Sequence, residues 1–209
     1  MERLELAGNH LGVDATRSLA QVLLDCDRLR SLDLRNNRLG GAGMWVLANV
    51  FVQERSFSIT SLDVSGNKLG DVGARALGLA LTDNQGLQVL GTEHNLIGDS
   101  GCAALAAGLA ANSSLRELRL AGNRFGADGF AALAEAVGSS GVREIDVGDR
   151  GRPQEEGELE RAGRSALRRA LGPRRAPASP EPVVEPQPLP ESPLLQRAAR
   201  SHGLLSTVF

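Results

Sequence analysis

Leu29-x-x-Leu32-x-Leu34-x-x-Asn37-x-Leu39-Gly40 decides how this chain folds, because the same spacing returns along it at an almost fixed interval. The pattern appears earlier as Met1, Leu4, Leu6, Asn9 and Leu11, and later as Ile59, Leu62, Val64, Asn67 and Leu69. It continues through Leu87, Leu90, Thr92, Asn95 and Ile97, then Leu115, Leu118, Leu120, Asn123 and Phe125. A sixth, decayed copy opens at Val142, Ile145 and Val147 and carries Arg150 where the asparagine belongs. Starts at 1, 29, 59, 87, 115 and 142 give a period of about 28, the mark of a solenoid whose turns bury their apolar faces against one another.

Within a copy, alternating leucines predict a short strand with leucines inward and the intervening residues on a concave face. The asparagines Asn9, Asn37, Asn67, Asn95 and Asn123 are expected to stack as a structural ladder bonded to the backbone of the turns, since a buried amide without partners costs about 1–3 kcal/mol. Four-residue spacing of Leu77 and Leu81, Leu105 and Leu109, and Leu133 and Val137 predicts a helix after each turn. The expected helices are Ala15 to Leu24, Gly43 to Val52, Val72 to Leu81, Gly101 to Ala111 and Asp128 to Val137, with Asp71, Asp99 and Asp128 serving free N–H groups at helix starts.

This pattern resembles the leucine-rich repeat, and its length with a Gly-x-x-Leu-Ala-like helix resembles the ribonuclease-inhibitor-like subfamily, over roughly residues 1–148. The resemblance implies an α/β horseshoe with parallel strands on the concave face and helices on the convex one. It implies a binding protein, because the subfamily includes enzyme inhibitors, GTPase regulators, immune sensors and scaffolds. The expected organisation is a solenoid of about six repeats over 1–148, a cap helix within 149–171 and a proline-rich, disordered tail over 172–209. Met1 already holds a strand position, so a shortened form of a longer repeat array is the expected reading of this end.

A net charge of −2 argues against bulk binding to nucleic acid or an anionic membrane. No apolar run approaches the roughly 18 residues of a membrane span, and Met1 opens a strand rather than a signal peptide. A cytoplasmic or nuclear location is expected. Cys26 and Cys102 lack metal-site spacing, and Cys102 aligns with Ala74 and Phe130, which predicts a buried reduced thiol. No cofactor is implied. The segment Gly66 to Gly70 lacks the Gly-Lys-Ser/Thr of a phosphate loop, and Gly12, Gly40, Gly70, Gly98 and Gly126 recur as a repeat feature. His10, His94 and His202 are not paired with a nucleophile or ligand at motif spacing, which speaks against an enzyme.

The concave columns carry the candidate partner site: Glu5, Asp33, Arg35, Asp63, Glu93, Glu117, Arg119 and Asp146, flanked by Arg3 and Glu144. Parallel strands lie about 4.8 Å apart, so Asp33 and Asp63 are expected side by side in water, repelling by roughly 1–3 kcal/mol. A face that tolerates this suits a partner with a basic surface, the alternative being a merely solvated surface. Trp45, the single tryptophan in a chain without tyrosine, sits on the convex side and either anchors a partner or lies across the next helix.

Past Val147, Gln154 to Leu171 reads as one amphipathic helix covering the last repeat, with Leu159, Ala162, Ala166, Leu167, Ala170 and Leu171 inward. Arg161, Arg164, Arg168, Arg169, Arg174 and Arg175 make a basic patch, read as a solvated face of the cap rather than a lipid or RNA site. In the tail, Arg174, Pro177 and Pro180 fit an SH3 ligand, and Thr207 with the terminal Phe209 fits a PDZ ligand. The sequence thus supports an intracellular adaptor for a protein partner; regulation of a small GTPase or inhibition of an enzyme is the alternative.

Overall fold

The structure is a computed structural model that describes residues 1–53, 58–148 and 158–172. Among the described residues, six three-residue strands form one parallel sheet in sequence order: β1 (Arg3–Glu5), β2 (Ser31–Asp33), β3 (Ser61–Asp63), β4 (Val89–Gly91), β5 (Glu117–Arg119) and β6 (Glu144–Asp146). They alternate with α1 (Val13–Leu24), α2 (Gly40–Phe51), α3 (Gly70–Asp83), α4 (Asp99–Ala111), α5 (Ala127–Val137) and α6 (Glu158–Leu171). The sheet does not close on itself, and each helix packs on the next. The result is an α/β solenoid, as the repeat predicts.

Register follows the repeat: Leu4, Leu32, Leu62, Leu90, Leu118 and Ile145 are paired across successive strands. From Leu32 onward these side chains are buried and join the inward residues of the helices in one core. Thr92 replaces the usual aliphatic residue without leaving a loose polar group, because its Oγ1 donates to the Arg119 carbonyl at 2.9 Å.

The asparagine ladder forms. Asn95 Oδ1 accepts from Asn67 N at 2.8 Å and Leu69 N at 3.4 Å, while its Nδ2 donates to the Val64 carbonyl at 3.0 Å. Asn37 and Asn123 repeat the scheme, accepting from the backbone of Asn9 and Leu11 and of Asn95 and Ile97. Asn9, at the edge, is exposed and donates to the Ala7 carbonyl at 3.3 Å. A second ladder closes the helix C-termini: Asn112 Nδ2 donates to the carbonyls of Leu81 and Asn84 at 2.7 Å, and Asn84 Nδ2 to that of Phe51 at 2.7 Å.

Helices α1 to α5 begin one to three residues before the expected starts. At α2 and α3 the chain turns at Gly40 and Gly70, whose φ values of +60° and +58° suit glycine, and these residues already open the helix. The acidic helix starts act across turns rather than within them. Asp71 in α3 accepts from Gly98 N at 2.7 Å and Ser100 Oγ at 2.7 Å at the head of α4, and Asp99 in α4 accepts from Gly126 N and Gly129 N at 2.7 and 2.8 Å at the head of α5. Each carboxylate therefore caps the following helix and adds a bond between repeats.

Helix α6 lies against α5, with three corrections to its expected faces, at Ala162, Ala170 and Arg164. Leu167 is buried and Leu171 half-buried, but Ala162 and Ala170 are exposed. Arg164, expected on the solvated face, is buried: its guanidinium stands 5.2 Å from the centre of the Phe130 ring and Nη1 donates to the Gly148 carbonyl at 2.6 Å. The packed face runs through Gly163, Arg164, Leu167 and Leu171, because at Gly163 a Cβ would come 2.7 Å from Phe130 Cβ and only the bare backbone lets α6 approach there. The helix start at Gln154, the displaced asparagine position Arg150, and the tail residues Arg174, Arg175, Pro177, Pro180, Thr207 and Phe209 lie outside the described residues, as do residues 54–57 of the long second repeat.

Candidate functional site: the concave face

Strand alternation places Glu5, Asp33, Asp63, Gly91, Arg119 and Asp146 in one column in register, with Arg35 and Glu93 at the next outward position of their turns. The sequence reading of this column holds for position and needs correction for charge. Asp33 does not face water: it is buried and gripped by Arg35, whose Nη2 donates to Asp33 Oδ2 at 2.6 Å and whose Nε reaches both carboxylate oxygens at 3.0 Å. Arginine two residues on reaches back over its own strand, so the expected carboxylate repulsion is largely neutralised.

Asp63 sits at the centre of this arrangement. Its Oδ1 accepts from Ser65 N at 3.0 Å, and its Oδ2 stands 3.9 Å from Arg35 Nε and 3.9 Å from Arg119 Nη1. Arg119 lies two strands away, and the contact exists because β4 carries Gly91: a Cβ there would come 2.6 Å from the Asp63 Cγ. Glycine lets the Asp63 carboxylate lie over β4 toward β5. Each arginine has a closer partner, Arg35 with Asp33 and Arg119 with Glu117, both at 2.6 Å. A network thus runs Asp33, Arg35, Asp63, Arg119, Glu117 across the sheet, with a separate Arg3–Glu5 pair at 2.7 Å on the exposed edge strand. Such partly exposed pairs contribute about 0–1 kcal/mol each, so the network orders side chains more than it stabilises the fold. Half-buried Glu93 and Asp146 and exposed Glu144 extend negative charge around it.

Two carboxylates respond to this setting. The Arg35 hydrogen bond, partly opposed by burial, holds Asp33 below the ordinary carboxyl value of 3.8, and the Ser100 hydroxyl with the α4 backbone does the same for Asp71. The folded values are depressed, so their stabilisation is complete above about pH 4 and is lost as pH falls through the lower folded values. The expected result is a thermal midpoint that declines below pH 4, with a shallower decline in the Asp33→Asn, Asp71→Asn double variant; melts from pH 7 to pH 2 measure it.

Elsewhere the candidates resolve simply. Trp45 is 38% exposed and, with Ala76, Leu79, Ala80 and Asp83, borders a shallow hollow of about 220 Å³ between α2 and α3. Cys102 is fully buried, and its thiol is pushed up to about 12 by burial, which makes it inert. His94 is an exposed turn residue with φ of +53°. Among the described residues no cluster of three or more His, Cys, Asp or Glu side chains can hold a metal ion, and no helix is long and apolar enough to cross a membrane. The sequence reading missed the Asn84 and Asn112 ladder, whose 28-residue separation was the available signal, and the role of Gly91, for which a glycine interrupting the acidic column was the only sign.

Comparison with known families agrees with this geometry. A Leucine Rich repeat family model matches residues 28–48, 55–78 and 111–134. The chain carries leucine-rich repeats and folds as their α/β solenoid. This leucine-rich-repeat chain is 30% identical over 95 residues to RAN GTPase-activating protein 2 of Arabidopsis thaliana, a match that covers 46% of this chain and only 17% of that protein. Its fold is similar to the tropomodulin C-terminal domain of Caenorhabditis elegans, with a TM-score of 0.55 at 14% identity, covering 75% of this chain and 90% of that one. It is also similar to leiomodin-1 actin-binding site 2, with a TM-score of 0.51 at 13% identity, covering 82% and 79%. At these identities the two structures establish the fold alone.

Proposed function

We propose that this leucine-rich-repeat protein is an adaptor that holds a protein partner with a basic surface on its concave face. The observation that carries the proposal is the position of Asp63, 3.9 Å from two arginines that are each engaged at 2.6 Å by another acid. A partner cation can approach Asp63 without breaking either close pair. Glu93, Glu144 and Asp146 extend the attraction, which steers encounter and weakens as salt screens it. No aromatic side chain stands in these columns, so the partner supplies the anchoring arginine or lysine. The protein acts by binding and not by catalysis, in the cytoplasm or nucleus. The tail motifs at Arg174, Pro177 and Pro180 and at Thr207 and Phe209 would recruit SH3 and PDZ domains as further partners.

The test replaces Asp63 by Asn and Glu93 by Gln, leaving Asp33 and its buried contact with Arg35 in place. Affinity for the principal partner recovered by the full chain is expected to fall at least tenfold while the thermal midpoint stays within a few degrees. Unchanged affinity in that variant rejects the concave site. The partial similarity to a RAN GTPase-activating protein, 30% identity over 95 residues, supports a second reading, regulation of a small GTPase. Acceleration of GTP hydrolysis by a RAN GTPase on adding this chain would favour it over the adaptor reading.

A further inference from the structure

The residue after each ladder asparagine is His10, Arg38, Lys68, Leu96 or Arg124, and all five are exposed. They form a column along the loops that lead from strands to helices, separate from the concave sheet. Its sign is opposite to that of the concave face. Among the described residues, Arg38, Lys68 and Arg124 take part in no ion pair. Of the acids that follow this column in sequence, Asp71 after Lys68 and Asp99 after Leu96 are spent on the backbone of the next repeat, while Asp128 after Arg124 is exposed at the head of α5. Leu96 stands between Lys68 and Arg124, 40% exposed, with φ of +63°, a left-handed backbone that branched-chain residues rarely adopt. The turn therefore presents an apolar side chain to water between two cations.

We propose that this rim is a second docking surface, for an acidic peptide segment in extended conformation that sets one apolar side chain on Leu96. Successive turns are about 4.8 Å apart at the strands and about 8–10 Å apart at the helices, so the connecting loops have an intermediate pitch. Alternate side chains of an extended peptide are about 6.8 Å apart on one face, which matches it. The fitting order is carboxylate, apolar, carboxylate at every second residue, over Lys68, Leu96 and Arg124, with another carboxylate reaching Arg38. Bulk polyanions satisfy the cations and leave Leu96 unused, which separates them from the peptide.

The probe is a fluorescein-labelled peptide Glu-Ser-Glu-Ser-Leu-Ser-Glu titrated with the full chain and followed by anisotropy, beside the same peptide with Ser in place of Leu and beside polyuridylate. Saturable binding of the leucine peptide is expected, weakened at least tenfold by Lys68→Glu with Arg124→Glu. Leu96→Asn, a residue that accepts the left-handed backbone, should weaken the leucine peptide about threefold or more and leave the serine peptide unchanged. Asp63→Asn with Glu93→Gln should change neither by more than twofold, so failure here is distinguishable from failure of the concave site. Absence of saturable binding, insensitivity to the charge reversal in a variant with a normal melt, or polyuridylate binding as tight as the peptide with no dependence on Leu96 would each overturn the proposal.

Discussion

Asn95→Ala is expected to destabilise the protein by about 3–5 kcal/mol, although its side chain is fully buried and presents nothing to a partner. That side chain makes three bonds to the backbone of the preceding turn: it accepts from Asn67 N and Leu69 N and donates to the Val64 carbonyl. Alanine leaves two buried N–H groups unserved and takes one donor from a carbonyl, and water cannot enter the packed turn to replace it. Asn9 is the internal control. It holds the same place in the motif but is exposed, so Asn9→Ala should cost less than about 1 kcal/mol. Urea unfolding of both variants measures the contrast, and equal losses would show that the ladder is not what joins the turns.

The second large effect is expected at Gly78→Val, at about 3 kcal/mol or more. Gly78 is buried where α3 meets α4, and a Cβ there would run into the carbonyl of Ala104, while a Cβ at Gly108 would strike the carbonyl of Gly78. The obstacle is backbone on both sides, so the helices must separate. Because a solenoid couples only neighbouring turns, separation in mid-array should broaden the unfolding transition as well as lower its midpoint. Gly12→Ala provides the comparison, since φ there is −98° and nothing lies within 4 Å of the added carbon; its change should stay within about 0.5 kcal/mol. A Gly78→Val protein that melts like the parent in one sharp step would refute the close approach of α3 and α4.

These expectations separate what the sequence contains from what only coordinates supply. Strand positions, the ladder and the order of the sheet follow from periodicity, because a leucine at every second strand residue and an asparagine five residues after the first of them leave one way to bury both. Arg164 was not legible in this way. A helical wheel assigns arginine outward, and only the fit of Gly163 over Phe130 turns that face inward and gives the guanidinium an aromatic ring and a carbonyl to meet. The concave column shows the same division. Its membership was readable residue by residue, but its charge state was not, because Arg35 folds back onto Asp33 and Gly91 opens a path from Asp63 to Arg119. Side-chain reach between turns is a property of the fold.

Carbodiimide labelling of surface carboxylates, read by mass spectrometry with and without the bound partner, tests the central claim most directly. The concave site requires that Asp63, Glu93, Glu144 and Asp146 lose labelling on binding while Asp14 and Glu135 on the helices keep theirs. Protection confined to the helices, with Glu93 and Asp146 labelled as in the free protein, would contradict it.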